Sequence, residues 1–379
     1  MTDLPASMLS TARLRAAFAR PLLPVVFFFS GVTYDTITLT RIDRLTDNLI
    51  LLLYLSLLGL LIILTGRADL VTAGPPGAAA EPPLLATLFE RVRSCYPHAI
   101  QFLLGGLFSA YAVFYSQSAS LTGTAVFFAL LVALLVANEL LKDRLSNLRL
   151  LVGLYTLACF SFLTFFLPVL TGIMNTPMFL FGALCSLGTA FWMIRQVYGG
   201  MPDRPGREMA LTGAPAVGLV VALVGFYFLH WIPPVPLSMK FGGIYHEVNR
   251  QDGVYRLGFE PGAWYEFLKR SDDPFHGAGP ASCFTAVFAP VALQTTIMHH
   301  WQYRPAGRAG AIFQTTDRIP LAIAGGREDG YRGYTTKVKL DPGEWRVDVE
   351  TKDGRVIGRI GFHVVEGSGA ANHLETIGR

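Results

Sequence analysis

The apolar positions of this chain change their period near Ile232–Pro233–Pro234. Before that point they form long runs, each close to the roughly 20 residues a spanning helix requires. The runs are Leu22 to about Leu39, Leu49–Thr65, Ile100–Tyr115, Thr124–Leu141, Leu150–Leu170, Met178–Val197 and Ala214–Trp231. One such run fits a buried core helix, but seven in succession predict a membrane block. After Ile232 the period becomes two: in Glu344–Thr351, Trp345, Val347 and Val349 alternate with Arg346, Asp348 and Glu350, the pattern of a half-buried strand. Lys352–Gly354 reads as a hairpin turn, and Ile360, Phe362 and Val364 share one face of the returning strand. Gln294–Arg304 is a further long strand. Shorter ones are predicted near Gly243–Val248, Val254–Phe259, Cys283–Phe288, Ala311–Thr316 and Tyr331–Leu340.

Charge sharpens this division. The chain is 52% hydrophobic and 15% charged, against about a quarter charged in soluble domains. Residues 1–231 hold 25 charged side chains, and the shorter stretch 232–379 holds 33. The net charge of +4 is too weak and dispersed for nucleic acid. Twelve Lys or Arg fall in the loops on one side of the helices, among them Arg13, Arg67, Lys142 and Arg195, and only Arg41 and Arg44 on the other. The positive-inside rule then makes the N-terminus cytoplasmic, and an odd helix count sends everything after Trp231 outside. Tyr227, His230 and Trp231 form an interfacial belt at that exit, and the first run reads as a retained signal anchor. The cytoplasmic loops, including Gly74–Pro83, are too short for a kinase or nucleotide-binding domain. Of the four cysteines only Cys283 follows Ile232, so the second region has no internal disulfide.

These readings predict a polytopic α-helical membrane bundle of about seven transmembrane helices (1–231), an all-β immunoglobulin-like sandwich (232–367) and a disordered tail (368–379).

Several quoted runs carry a resemblance: GGIYH (Gly242–His246), HHW (His299–Trp301), GGREDGYRGYTTK (Gly325–Lys337) and GEWRVDVETKDGRVIGRIGFHV (Gly343–Val364). Through them the segment Val235–Glu366 resembles the bacterial domain-of-unknown-function family 2914. The block containing FFFSGVTYDTITLTRID (Phe27–Asp43) is similar to the membrane region that often precedes that domain. The resemblance implies architecture and a bacterial origin; it supplies no mechanism.

Four constellations could carry chemistry. Tyr34, Asp35, Arg41, Asp43, Arg44 and Asp47 make a dense outer cluster, either a polar vestibule or a salt-bridged cap on two helix ends. Glu139 and Lys142 can pair along a helix, as a proton-linked carboxylate or a snorkelling end. His299 and His300, beside Trp301, point to opposite faces of one strand, so both cannot ligate one metal without distortion, although His246, His276 or His363 could converge with one of them. Arg327 and Arg332 flank a glycine-rich turn and could present bidentate donors to a carboxylate or phosphate, or pair with carboxylates of their own domain. The turn lacks GK[ST] and a following helix, so it is not a phosphate-binding loop, and GxSxG and HExxH patterns are absent from the sequence.

The sequence therefore leads to a bacterial inner-membrane protein whose periplasmic sandwich binds an envelope glycan, a lipid headgroup or a partner protein, without a cofactor, metal or nucleic acid. The alternative is a transporter or membrane-embedded enzyme working at Asp35, with the sandwich as a lid.

Overall fold

The computed structural model describes residues 42–72, 96–118, 129–134, 147–199, 206–233, 235–262, 266, 269–277, 279–305, 312–367 and 374–379. Among the described residues five long helices come first: α1 (Leu45–Thr72), α2 (Tyr96–Ser118), α3 (Leu148–Thr171), α4 (Thr176–Tyr198) and α5 (Gly206–Phe228). Each contains a stretch long and apolar enough to cross a membrane. Of the other two expected spans, Leu22–Leu39 lies outside the described residues, and of Thr124–Leu141 only 129–134 is described, as helix.

The helix ends follow local chemistry. The Asn147 side chain accepts the Arg149 and Leu150 amides at the start of α3, and Asn175 accepts Met178 N–H at the start of α4. Between them Gly172, at φ 69°, ends α3 in the left-handed conformation that glycine tolerates. The helices bury one shared core, with Leu58, Ile62, Leu104, Phe108, Tyr111, Phe160 and Phe165 at its centre. Small residues permit close approach: a Cβ on Gly106 would meet Tyr54 at 3.0 Å, and one on Gly59 would meet the Tyr155 hydroxyl at 2.9 Å. Outward positions such as Leu49, Leu53, Leu57, Phe181, Leu184, Trp192 and Val221 are apolar and exposed, a surface suited to lipid rather than water.

The second region is β-rich. Its strands are β1 (Ser238–Tyr245), β2 (Glu247–Gln251), β3 (Val254–Phe259), β4 (Phe275–His276), β5 (Ala281–Phe288), β6 (Gln294–Pro305), β7 (Gln314–Ala324), β8 (Tyr331–Lys337), β9 (Gly343–Thr351), β10 (Val356–Val365) and β11 (Glu375–Gly378). They form a three-stranded sheet β1-β5-β8, a five-stranded sheet β4-β10-β9-β6-β7 and a smaller sheet β11-β3-β2. Pairing is antiparallel except between β4 and β10. The inward alternate positions of the first two sheets supply the core: Phe275, Cys283, Trp301, Trp345, Val347 and Phe362. The smaller sheet covers part of the outer side of β5, where Tyr245, Leu257 and Phe259 pack on Phe284.

The disordered tail expected after Gly367 needs correction. Residues 375–378 pair with β3, and Ile377 packs against the Phe284 cluster. A four-residue strand behind a Gly-, Ser- and Ala-rich stretch has too little pattern to be read locally.

The two regions are seated on each other. A Cβ at Gly172 would stand 2.2 Å from the Ala292 carbonyl oxygen in the β5–β6 turn. Phe288 joins the core of the helices, and Met174 joins a core cluster of the β region. From the β9–β10 turn, the Arg355 guanidinium lies 4.8 Å over the Tyr227 ring of α5. At the far end of the helices, Arg67 of α1 donates to the Gln196 carbonyl (2.7 Å) and side chain (3.1 Å) of α4.

Candidate functional site

Period-two alternation places one set of polar residues on the outward face of the five-stranded sheet: His300, Gln302 and Arg304 of β6, Glu344, Arg346, Asp348 and Glu350 of β9, and Arg359 of β10. Register then pairs charges across strands. Arg359 faces Asp348 and donates to both its carboxylate oxygens at 2.5 and 2.8 Å. Arg304 faces and pairs with Glu344. Arg318 of β7 donates to Glu350 at 2.5 Å. Asp348 and Glu350 are 3% and 4% exposed, so their partners, not water, answer their charge.

Arg346 differs. It faces Gln302 across the β6–β9 ladder, and its Nε and Nη2 both donate to the Gln302 side-chain oxygen, at 2.8 and 2.6 Å. Gln302 in turn donates to Asp348 at 3.2 Å. The Arg346 guanidinium lies 4.1 Å from the Phe313 ring centre, with Arg304 4.7 Å from the same centre. Burial and the neighbouring Arg359 and Arg304 charges push its pKa below the ordinary arginine value, against the pull of Asp348. On its other side the cross-strand neighbour is Gly361, where a Cβ would meet nothing within 4 Å. A guanidinium answered by a neutral amide thus borders open space.

A cavity of about 330 Å³ opens on the outward face of the other sheet. Phe284, Ala286 and Phe288 of β5 line it, with Phe241 and Lys240 of β1. The β1–β5 register slips between Met239 and Phe241, so Lys240 is the extra residue of a bulge, which re-aims a side chain. Arg332 of β8 and Arg379 also line the cavity, as do Glu328 and Asp329 of the β7–β8 loop.

The histidines separate into unlike places. His299 is fully buried between the sheets, its ring nitrogens 2.9 Å from the Thr285 and Thr335 hydroxyls. Desolvation pushes its pKa down to about 4. Trp301 Nε1 donates to the same Thr335 hydroxyl at 3.1 Å. His300 faces outward, 2.8 Å from Thr315 and 3.3 Å from Glu350. His246, between β1 and β2, stacks on Phe275 and lies 2.8 Å from the buried Asp272 carboxylate and 3.4 Å from Glu260. Burial opposes its charge, but Asp272, the His276 carbonyl and Glu260 together hold its pKa above the ordinary value. His276 Nδ1 lies 2.5 Å from Glu260, and Asp272 also accepts the Glu260 amide at 2.7 Å. Among the described residues, no three His, Cys, Asp or Glu side chains are arranged to hold a metal ion.

The predicted site residues fare unequally. Arg332 reaches the cavity, whereas Arg327 lies over the Tyr331 ring at 5.6 Å. Asp43 and Arg44 stand in the turn before α1 and Asp47 in its first turn. Tyr34, Asp35, Arg41, Glu139 and Lys142 lie outside the described residues. His246 and His276 converge with each other, not with His299. Sequence reasoning missed Glu260, Asp272, Lys240 and Arg379. The first two flank an irregular stretch without periodicity, and neither the Lys240 bulge nor the last strand leaves a local signal.

In class, this is a block of apolar helices carrying a β-rich domain with polar sites on its outer faces. Its C-terminal part, residues 294–364, matches the family model described as "Protein of unknown function (DUF2914)", and the resemblance expected for that part holds over this segment. The matched segment runs from β6 into β10, so it contains the whole Arg346 face but not Lys240 or Arg379. Comparison with curated proteins and with solved structures gives no match.

Proposed function

We propose that this chain is a bacterial inner-membrane protein of seven transmembrane helices that presents an immunoglobulin-like sandwich to the periplasm, and that the sandwich binds an acidic envelope glycan. The sandwich reading is supported by the strand order: two packed sheets, chain crossing between them, and a central buried tryptophan, Trp301, on β6. The orientation rests on the loop arginines; Arg67 and Arg195, both assigned to the cytoplasmic side, lie at the end of the helices away from the β domain.

The observation that carries the binding role is Arg346. On a sheet face where the other arginines meet carboxylates, its fork bonds a neutral amide beside the open space at Gly361. A sugar carboxylate there would gain a charge-assisted pair without displacing an existing one. The full chain in detergent micelles should bind a uronic-acid oligosaccharide, and Arg346→Gln should weaken binding about tenfold, the worth of one charged hydrogen bond. Equal binding by the variant, or no binding by the wild type, would remove the reading. The transport alternative depends on Asp35, outside the described residues.

A further inference from the structure

The cavity beside β1 and β5 is outside the Arg346 face and has a chemistry of its own. Its floor is apolar, Phe284 and Phe288 with Ala286 between them. Its walls carry charges of both signs: Lys240, Arg332 and Arg379 against Glu328 and Asp329. Glu328 lies near enough to Lys240 to support its charge against burial. Arg332 stands 3.8 Å from the largely exposed Asp329, and the Arg379 guanidinium lies over the Phe241 ring at 4.1 Å. A ligand matching such walls carries an anion and a cation a few bonds apart.

The position of the cavity narrows the source. Phe288 lines the cavity and is also part of the buried core of the helices. Lys240 lies 5.4 Å from the same ring. The helices span the length of an apolar bilayer core, so the end of them that meets Phe288 falls at headgroup level. Cations on a short apolar shelf at that depth are the arrangement that recognises phosphate headgroups.

We propose that this cavity holds the headgroup of a zwitterionic phospholipid from the adjacent leaflet, the phosphate between Arg332 and Arg379 and the ammonium group against Glu328 and Asp329. The lipid would bridge the β domain and the bilayer at the seam. The site is independent of any ligand at Arg346, since the two open on different sheets.

The test is native mass spectrometry of the full chain released from detergent after titration with phosphatidylethanolamine or phosphatidylglycerol. The wild type should retain phosphatidylethanolamine in preference. Arg332→Gln combined with Arg379→Gln should lower retention of both lipids about tenfold, as loss of charge-assisted contacts to phosphate requires. Glu328→Gln with Asp329→Asn should leave phosphatidylglycerol retention unchanged and abolish the preference. Thermal unfolding checks that the variants fold, and the arginine and acidic pairs serve as controls for each other. Unchanged retention in the arginine variant overturns the site. A wild-type preference for phosphatidylglycerol overturns the ammonium assignment. Displacement of the lipid by an equal concentration of free phosphorylethanolamine shows a soluble ligand and overturns the lipid source.

Discussion

His299, fully buried, and His246, half-buried, sit in the same β domain under opposite rules. Around His299, between the two larger sheets, stand hydroxyls and rings: Thr285, Thr335 and Trp301. Around His246, where β2 leaves β1, stand Asp272 and Glu260. The first setting lowers the imidazole pKa and the second raises it. Burial acts against the charge in both, so the difference lies in whether carboxylates accompany the ring. The gap between the sheets is built to exclude charge; the seam that ties β2 and β3 to the larger sheets is built from it.

The strongest way to break the neutral side is Trp301→Ala. It removes a fully buried ring and the donor to Thr335, and should cost about 3–5 kcal/mol. Hydrogen-exchange protection of the β6 and β9 amides in the full chain reads the loss.

Acid tests the same side more gently. The folded pKa of His299, about 4, lies below the unfolded value near 6.5. Between those values the unfolded state binds more protons, so stability falls as pH falls through that window, by about 3 kcal/mol at its end. His299→Gln should flatten this acid arm of protection in β6; an unchanged arm would place the protonation elsewhere.

His246 should show the reverse. With its folded pKa raised, its contribution is complete below the unfolded value and is lost as pH rises through the folded one. Asp272→Asn should cost about 1–2 kcal/mol near neutrality, since a buried charged acceptor is lost. It should also remove the alkaline arm from the amides of β2 and β3. An alkaline arm that survives the substitution would show that Asp272 does not hold the imidazolium.

The contrast was half legible in the sequence. Adjacent histidines on a period-two strand must point oppositely, and His299 and His300 do. β6, β9 and β10 were readable because Trp301, Trp345, Val347 and Phe362 alternate with charge. The partners of His246 were not readable: Glu260 and Asp272 are twelve residues apart, and folding of the chain between β3 and β4, not spacing, brings them to one ring. The Arg346 environment was hidden for another reason. Its residue type and face follow from alternation, but that it meets a glutamine and not a carboxylate is a matter of register, which local pattern leaves open.

Gly172 sets how the halves work together. Where its Cβ would stand there is already the Ala292 carbonyl, so the corner between α3 and α4 and the turn between β5 and β6 mesh like two gear teeth without slack. The seat of the β domain is therefore at the start of α4, and the Arg67–Gln196 clasp is at the opposite end of the same helix. Any side chain larger than hydrogen at position 172 would have to part the two regions at this corner.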